Sequence, residues 1–591
     1  MHIIESYNAK AKKVYCYVGE CLWDKYLKKY TTPRISIGHL EDNPPIFIPN
    51  NSFALLLLED KKNQALTDDR NRIIIDTVRA KYGDSIYLMA DKVAKPQAQT
   101  AVAVFNGPYI IFGGITSRYH LDRMLKKAFG DEDSQDILSL AWYVASEGGA
   151  LSNSDAWLEQ FETPKNEAIS SQDISRLLDR MDEDGIMTFY KDWQKAIEKP
   201  GDKSLLDLTS SSYYGHNIDM VAWGHNKDNT GLPQVKFIFL CMRKGVMPLF
   251  AWPINGSVSD VKALENTLQF LDKLGYRPNC LMMDRGFSSI DNITYMLNHG
   301  YTFLQALKIN ANWIYDIIDA GRVARLRPDS MIKTDERTYY ASTTICQWVI
   351  VRKSKKGDTS IDEHFVYQCT EAKGEKYTAQ EGEEIISQHR CVVHVIFCQD
   401  LVGNQWDKFM EKLNLEYERL TSDEKAMPTS ELEQYFIIKK EKWARKRDVD
   451  FNMTKIQDHK NNYAGHICFI TNDKSIKTAK EALSEYSTRD YIEKDFDELK
   501  NDLDMRRIRV HSDGRMKARL FIQFVAEIYM REIRVKLSES KECQKMTRKQ
   551  ISSHIKGIYK IKFTGKYKDI RPELSKSQRS ILEALDIKDS R

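Results

Sequence analysis

No stretch of this 591-residue chain is apolar for long enough to cross a bilayer. The most apolar short run, FALLLL at 53–58, falls far short of the roughly 20 residues a spanning helix needs. The N-terminus lacks the apolar core of a secretory signal. A cytoplasmic protein with no membrane partner is expected. No disulfide framework is evident either. The ten cysteines are scattered, several inside apolar runs such as FIFLCM and HICFI, which suits reduced, buried thiols. Cys391, His394 and Cys398 in CVVHVIFC have the residue types of a metal site. Read as a strand, that run turns 391 away from 394 and 398, whereas zinc ligands converge from turns, so no zinc is expected there. Internal repeats and low-complexity segments are also lacking. So is a charge excess: 88 Lys and Arg stand against 84 Asp and Glu, net +4, which selects no partner.

What is present describes a globular protein of several domains, 42% apolar and 29% charged. Its positive charge is unevenly placed. KKEKWARKR (439–447) has six cations and one Glu around Trp443, and RRIRVHSDGRMKAR (506–519) has six cations and one Asp. The tail 541–591 has 14 Lys and Arg against 6 Asp and Glu. Such patches suit phosphate backbones, although each is also what an ordinary solvated surface produces.

Along the chain, residues 1–60 read as short strands (KKVYCYVGE, RISIGHL) and 61–195 as mostly helical. In ISSQDISRLLDRM (169–181), Ser170 or Ser171 caps a helix whose apolar face is Ile174, Leu177, Leu178 and Met181. Arg176 and Arg180 lie off that face. With the preceding DAWLEQFE this permits a helix-turn-helix, although an amphipathic pair is the commoner outcome. From 196 to 309 three strands (KSLLDLTSS, QVKFIFLCM, VMPLFAWP) are followed by alternating helix and strand, a mixed sheet covered by helices. Residues 310–462 read as a β-rich insertion, 463–540 as the return to the core and 541–591 as a basic C-terminal region.

Two carboxylates sit where apolar residues would be expected. Asp207 interrupts the strand SLLDLTSS, and Asp284 ends the strand LMM. Burying a carboxylate costs several kcal/mol unless it is compensated, and a hard divalent cation is one compensation. A third constellation is YSTRDYIEKDFDELK (486–500). At about 100° per residue, Tyr486, Arg489, Glu493 and Lys500 fall within about 60° of one another on one helix stripe. Such a stripe can set one catalytic carboxylate among groups that grip an anion; a solvated face with staggered ion pairs is the ordinary alternative.

Residues 486–500 match Tyr-x2-Arg-x3-Glu-x6-Lys at every defined position. The chain resembles the bacterial insertion-sequence transposases named for that signature, which carry an Asp-Asp-Glu triad on an RNase H-like core. LLDLTSSSYYG resembles the family's first-Asp strand, CLMMDRGFSS its second-Asp motif and YIEKDFDELK its Glu helix. YLKKYTTPRISIGHLEDN and GHICFITND resemble the members with a long insertion before that helix. The resemblance implies an α/β chain: an RNase H-like mixed sheet interrupted by a β-rich insertion, behind an N-terminal β and helical DNA-binding region. It implies that Asp207, Asp284 and Glu493 bind two Mg²⁺ or Mn²⁺ ions and cleave DNA at the element's terminal inverted repeats. The freed 3′-hydroxyl then joins target DNA, with release through a hairpin as one route. Tyr486, Arg489 and Lys500 would clamp the DNA end. Trp443, with cations around it, suits a base turned out of its strand, and Arg176 and Arg180 are DNA-binding candidates on the possible helix-turn-helix. The implied partners are double-stranded transposon ends, target DNA and a second subunit, with no small-molecule substrate and with nucleoid association once bound. A nuclease that cuts without joining and a domesticated protein that binds without cutting are the alternatives.

Overall fold

Helix starts follow the side chains able to cap them. Ser170, Ser259, Ser289, Ser512 and Thr547 each accept a hydrogen bond from the amide three residues on, which satisfies a donor the helix cannot. The computed structural model describes residues 1–24, 28–41, 45–61, 69–99, 101–199, 201–213, 215, 217–223, 232–243, 247–354, 361–370, 376–423, 425–439, 448–487, 510–563 and 569–588.

The N-terminal strands β1 (His2–Asn8), β2 (Lys13–Gly19), β3 (Arg34–Glu41) and β4 (Ile46–Pro49) form an antiparallel sheet in chain order. Helices α1 (Asn51–Lys61), α2 (Asp69–Tyr82) and α3 (Ser85–Gln99) close over it. Cys16, Val18, Ile37 and Phe47 of the sheet share a core with Phe53, Leu57, Ile75, Val78 and Ile86 of the helices. That core takes in the strands and the helices through Val93, because the sheet's apolar face packs on the helices that follow it.

Strand β5 (Val102–Phe105) leads into α4 (Gly107–Tyr119), α5 (Leu121–Phe129), α6 (Asp131–Glu147), α7 (Asp155–Gln160), α8 (Ser171–Arg180) and α9 (Glu183–Ile197). This layer shares one hydrophobic core with the sheet that follows. Polar atoms stitch the two together: Tyr190 Oη donates to Ala251 O (2.9 Å) and Trp193 Nε1 to Pro248 O (2.7 Å).

That sheet is mixed. Its first five strands are β6 (Ser204–Ser212), β7 (Gln234–Met242), β8 (Pro248–Asn255), β9 (Leu281–Met283) and β10 (Phe303–Ala306), with α10 (Asp260–Leu274) and α11 (Ile290–Asn298) between the later ones. They lie in the order β8-β7-β6-β9-β10, and β7 alone of the five runs against the rest. This is the RNase H-like arrangement.

Beyond α12 (Asn312–Ala320), β11 (Met331–Lys333), β12 (Thr338–Ser354), β13 (Ile361–Thr370) and β14 (Glu383–Phe397) continue the same sheet through β17 (His466–Thr471), which pairs antiparallel with both β10 and β14. Part of the expected insertion is therefore a sheet extension, ten strands in all among the described residues. The other part has its own core: α13 (Gln399–Ser422), the β15 (Phe436–Lys439) and β16 (Asp448–Phe451) pair, and α14 (Met453–Asn462) bury Leu413, Leu420, Tyr435, Phe436 and Ile456 together.

After α15 (Ala479–Ser487), the long α16 (Asp513–Glu539) packs its apolar face on the helical layer and on β8. Helices α17 (Arg548–Lys556) and α18 (Lys576–Ala584) pack beside it, and β18 (Tyr559–Lys562) pairs with β5. Among the described residues no helix is long and apolar enough to cross a membrane.

Candidate active site

All nine residues of β6 are buried although only Leu205, Leu206 and Leu208 are apolar, and Asp207 is only 6% exposed among them. Strands β6 and β9 are parallel, with Leu281 beside Ser204, Met282 beside Leu205 and Met283 beside Leu206. The next positions along the two strands are Asp284 and Asp207. Neighbouring strands lie about 4.8 Å apart, so the register carries Asp207 and Asp284 to adjacent positions.

Asp284 is where β9 ends, and several groups fix it. Its Oδ1 accepts the Arg285 amide (2.6 Å) as the chain enters a short 3-10 turn, and the Tyr486 hydroxyl (3.1 Å). Its main-chain carbonyl accepts Nε2 of Gln305 (2.6 Å), which also donates to Ala306 O (2.8 Å). Gln305 is fully buried at the β10 position beside Met283. On Asp207, Oδ1 accepts the Leu208 amide at 2.7 Å.

A third acidic group stands close by. A Cβ placed on Gly286 would lie 3.2 Å from Oδ2 of Asp260 and 3.9 Å from Oδ2 of Asp284, so the absent side chain leaves room between the carboxylates. Asp260, in the first turn of α10, is held by the buried Lys236 of β7: Nζ lies 2.9 Å from Asp260 Oδ1 and 2.9 Å from Val258 O. Hard oxygen donors from Asp207 and Asp284, with space left at Gly286, fit a divalent cation of the Mg²⁺ type.

Helix α15, which brings Tyr486 to the site, is fixed at its other side. Glu485 meets Lys203 Nζ (3.3 Å), just before β6, and Arg243 Nε (2.7 Å), just after β7; Asp473 also meets Lys203 (3.3 Å). The Tyr486 ring packs 4.7 Å from that of Phe469 on β17.

Arg489, Glu493, Lys500 and Trp443 lie outside the described residues; Trp443 falls in sequence between the paired strands β15 and β16. Among the described residues no three His, Cys, Asp or Glu side chains group as a metal site. Arg176 and Arg180 are far along the chain on α8. Arg176 pairs with Asp173 (3.0 Å), and Arg180 takes both oxygens of Asp133 (Nε at 3.2 and 3.1 Å). The capped helix buries Ile174, Leu177, Leu178 and Met181 against the common core. In the basic run at 506–519, Arg515 binds Asp179 through two bonds of 2.6 Å, Lys517 pairs with Glu183, and Arg519 is buried. Arg515 and Lys517 tie α16 to the helical layer.

Sequence reasoning passed over Gln305, Lys236, Asp260 and Gly286. Gln305 and Lys236 carry the same signal as Asp207, a polar residue inside an apolar strand (TFLQALK, QVKFIFLCM).

A profile of the Transposase DDE domain family matches residues 199–527, more than half of the chain. The chain belongs to this transposase family. The matched span takes in Asp207, Asp284 and Glu493. Among solved structures, a cryo-EM piggyBac transposase synaptic complex with hairpin DNA shares 10% identity, covering 72% of this chain and 70% of that one at a TM-score of 0.32, a likeness too loose to carry residues across. No curated protein matches the chain.

Proposed function

We propose that this member of the transposase family binds the terminal inverted repeats of its own element, cleaves DNA at its ends and joins the freed 3′-hydroxyl to target DNA. Asp207, Asp284 and Glu493 are the catalytic carboxylates. They would hold two Mg²⁺ or Mn²⁺ ions, which when bound supply Lewis acids for the attacking and leaving oxygens of a phosphodiester. The observation that carries this reading is the parallel register that aligns Asp207 with Asp284 inside the span matched by the family.

The chain's own groups set the stage for that chemistry. Gln305 and the Arg285 amide hold Asp284 at the strand end, and the Lys236–Asp260 pair closes the site beside Gly286. Arg489 and Lys500 grip phosphates of the DNA end, Trp443 stacks on a base turned out of the helix, and Arg176 and Arg180 contact flanking phosphates by exchanging their carboxylate partners. Two subunits pair two ends.

The test uses the full chain, Mg²⁺ and labelled DNA carrying the ends found in the genomic flanks of its reading frame. Cut ends and joined products are expected. Cut but never joined DNA would make the protein a nuclease, and DNA bound but intact would make it a binding protein.

A further inference from the structure

Tyr486 is the first residue of the signature stripe, and its simplest role there is to touch DNA. Its surroundings assign it another. The hydroxyl lies 3.1 Å from Oδ1 of Asp284, across 202 residues of sequence. The ring is half-buried and packs on Phe469. Its helix is held from behind by the Glu485 contacts with Lys203 and Arg243, two cations that flank the first two strands of the core.

We propose that Tyr486 is a positioning residue for Asp284 and not a contact to DNA. The inference rests on the reading of Asp284 as a metal-holding carboxylate. An aspartate at the open end of a strand can rotate about two bonds. The Arg285 amide is local and moves with the 3-10 turn, so by itself it cannot fix the carboxylate relative to the rest of the sheet. The Tyr486 hydroxyl comes from a separate element anchored to β17, β6 and β7. With both donors on the same oxygen, the carboxylate plane is set by the sheet as a whole. Outer groups that orient a metal ligand in this way typically account for about 10–100-fold in metal affinity or activity.

The experiment compares full-length wild type with Tyr486→Phe and Asp284→Ala. Phenylalanine keeps the ring that packs on Phe469 and removes one oxygen, and thermal unfolding checks that the fold is unchanged. Mn²⁺ binding is read by electron paramagnetic resonance of the free ion, end binding by gel shift, and cleavage against Mg²⁺ concentration. The expected result for Tyr486→Phe is end binding within about twofold of wild type, with the Mn²⁺ and Mg²⁺ midpoints raised about tenfold or more. Unchanged midpoints in Tyr486→Phe, where Asp284→Ala has lost Mn²⁺, would overturn the positioning role and leave the metal reading standing. Lost end binding with unchanged midpoints would return Tyr486 to the DNA. Wild-type Mn²⁺ binding by Asp284→Ala would overturn the metal reading and this inference with it.

Discussion

A carboxylate inside a buried strand destabilises the fold unless something compensates it; Asp207 meets that condition, and Asp284 stands at the end of the neighbouring strand. Glycine is what leaves the surroundings open. At Gly286 a methyl group would sit 3.2 Å from one carboxylate oxygen and 3.9 Å from another, with no unusual backbone angle to forbid alanine. Gly286→Ala should therefore fold, with unfolding within about 1 kcal/mol of wild type. Its DNA cleavage should fall about tenfold, the equivalent of ~1.4 kcal/mol of barrier, because Asp260 must give way and the space beside Asp284 is filled. Wild-type cleavage rates in this variant would show that the space is not used.

The elements were legible where one stretch of sequence determines them. The three strands that open the core, the helix that stops at Gly275 and the strand that ends at Asp284 follow from apolar runs and a terminal glycine. What joins distant segments was not legible. Nothing local in YSTRDY says that Tyr486 reaches Asp284, and nothing in KSLLD says that Lys203 meets Glu485. The basic tail illustrates the same limit. Its composition suggests a DNA-binding appendage, yet β18 pairs with β5, and the backbone of Ile555 comes so close to Gly107 that a Cβ there would overlap its carbonyl. Lys560 is buried with Glu162 at 2.6 Å. Deleting 541–591 should uncover the apolar faces of α4 and α16 and strip β5 of its partner. The truncated chain should show a lowered unfolding midpoint and self-association in size-exclusion chromatography. A stable, monodisperse truncation that had lost only DNA affinity would contradict this.

Across the whole molecule the sheet runs from the family's core strands into the extension, so the site is carried on a continuous scaffold. Three histidines on the extension side, His394, His459 and His466, are each pushed down to about 4 by burial. Unfolding returns them toward the ordinary 6.5, so between pH 6.5 and 4 the unfolded chain binds more protons than the folded one. Stability is then complete above that window and falls with pH through it, by about 1.4 kcal/mol per pH unit for each group. The thermal midpoint should drop as pH is lowered from 6.5 to 4, and a midpoint flat over that range would contradict the buried, neutral state of these rings. The central claim, that Asp207, Asp284 and Glu493 form one metal-dependent centre, is tested most directly by replacing each with alanine in the full chain. Mg²⁺-dependent cleavage of labelled terminal DNA is measured alongside binding to the same DNA. The account predicts that all three variants bind the ends nearly as wild type does and cleave none of them, because phosphate contacts elsewhere carry the affinity. Substantial cleavage by any one variant would remove that residue from the centre.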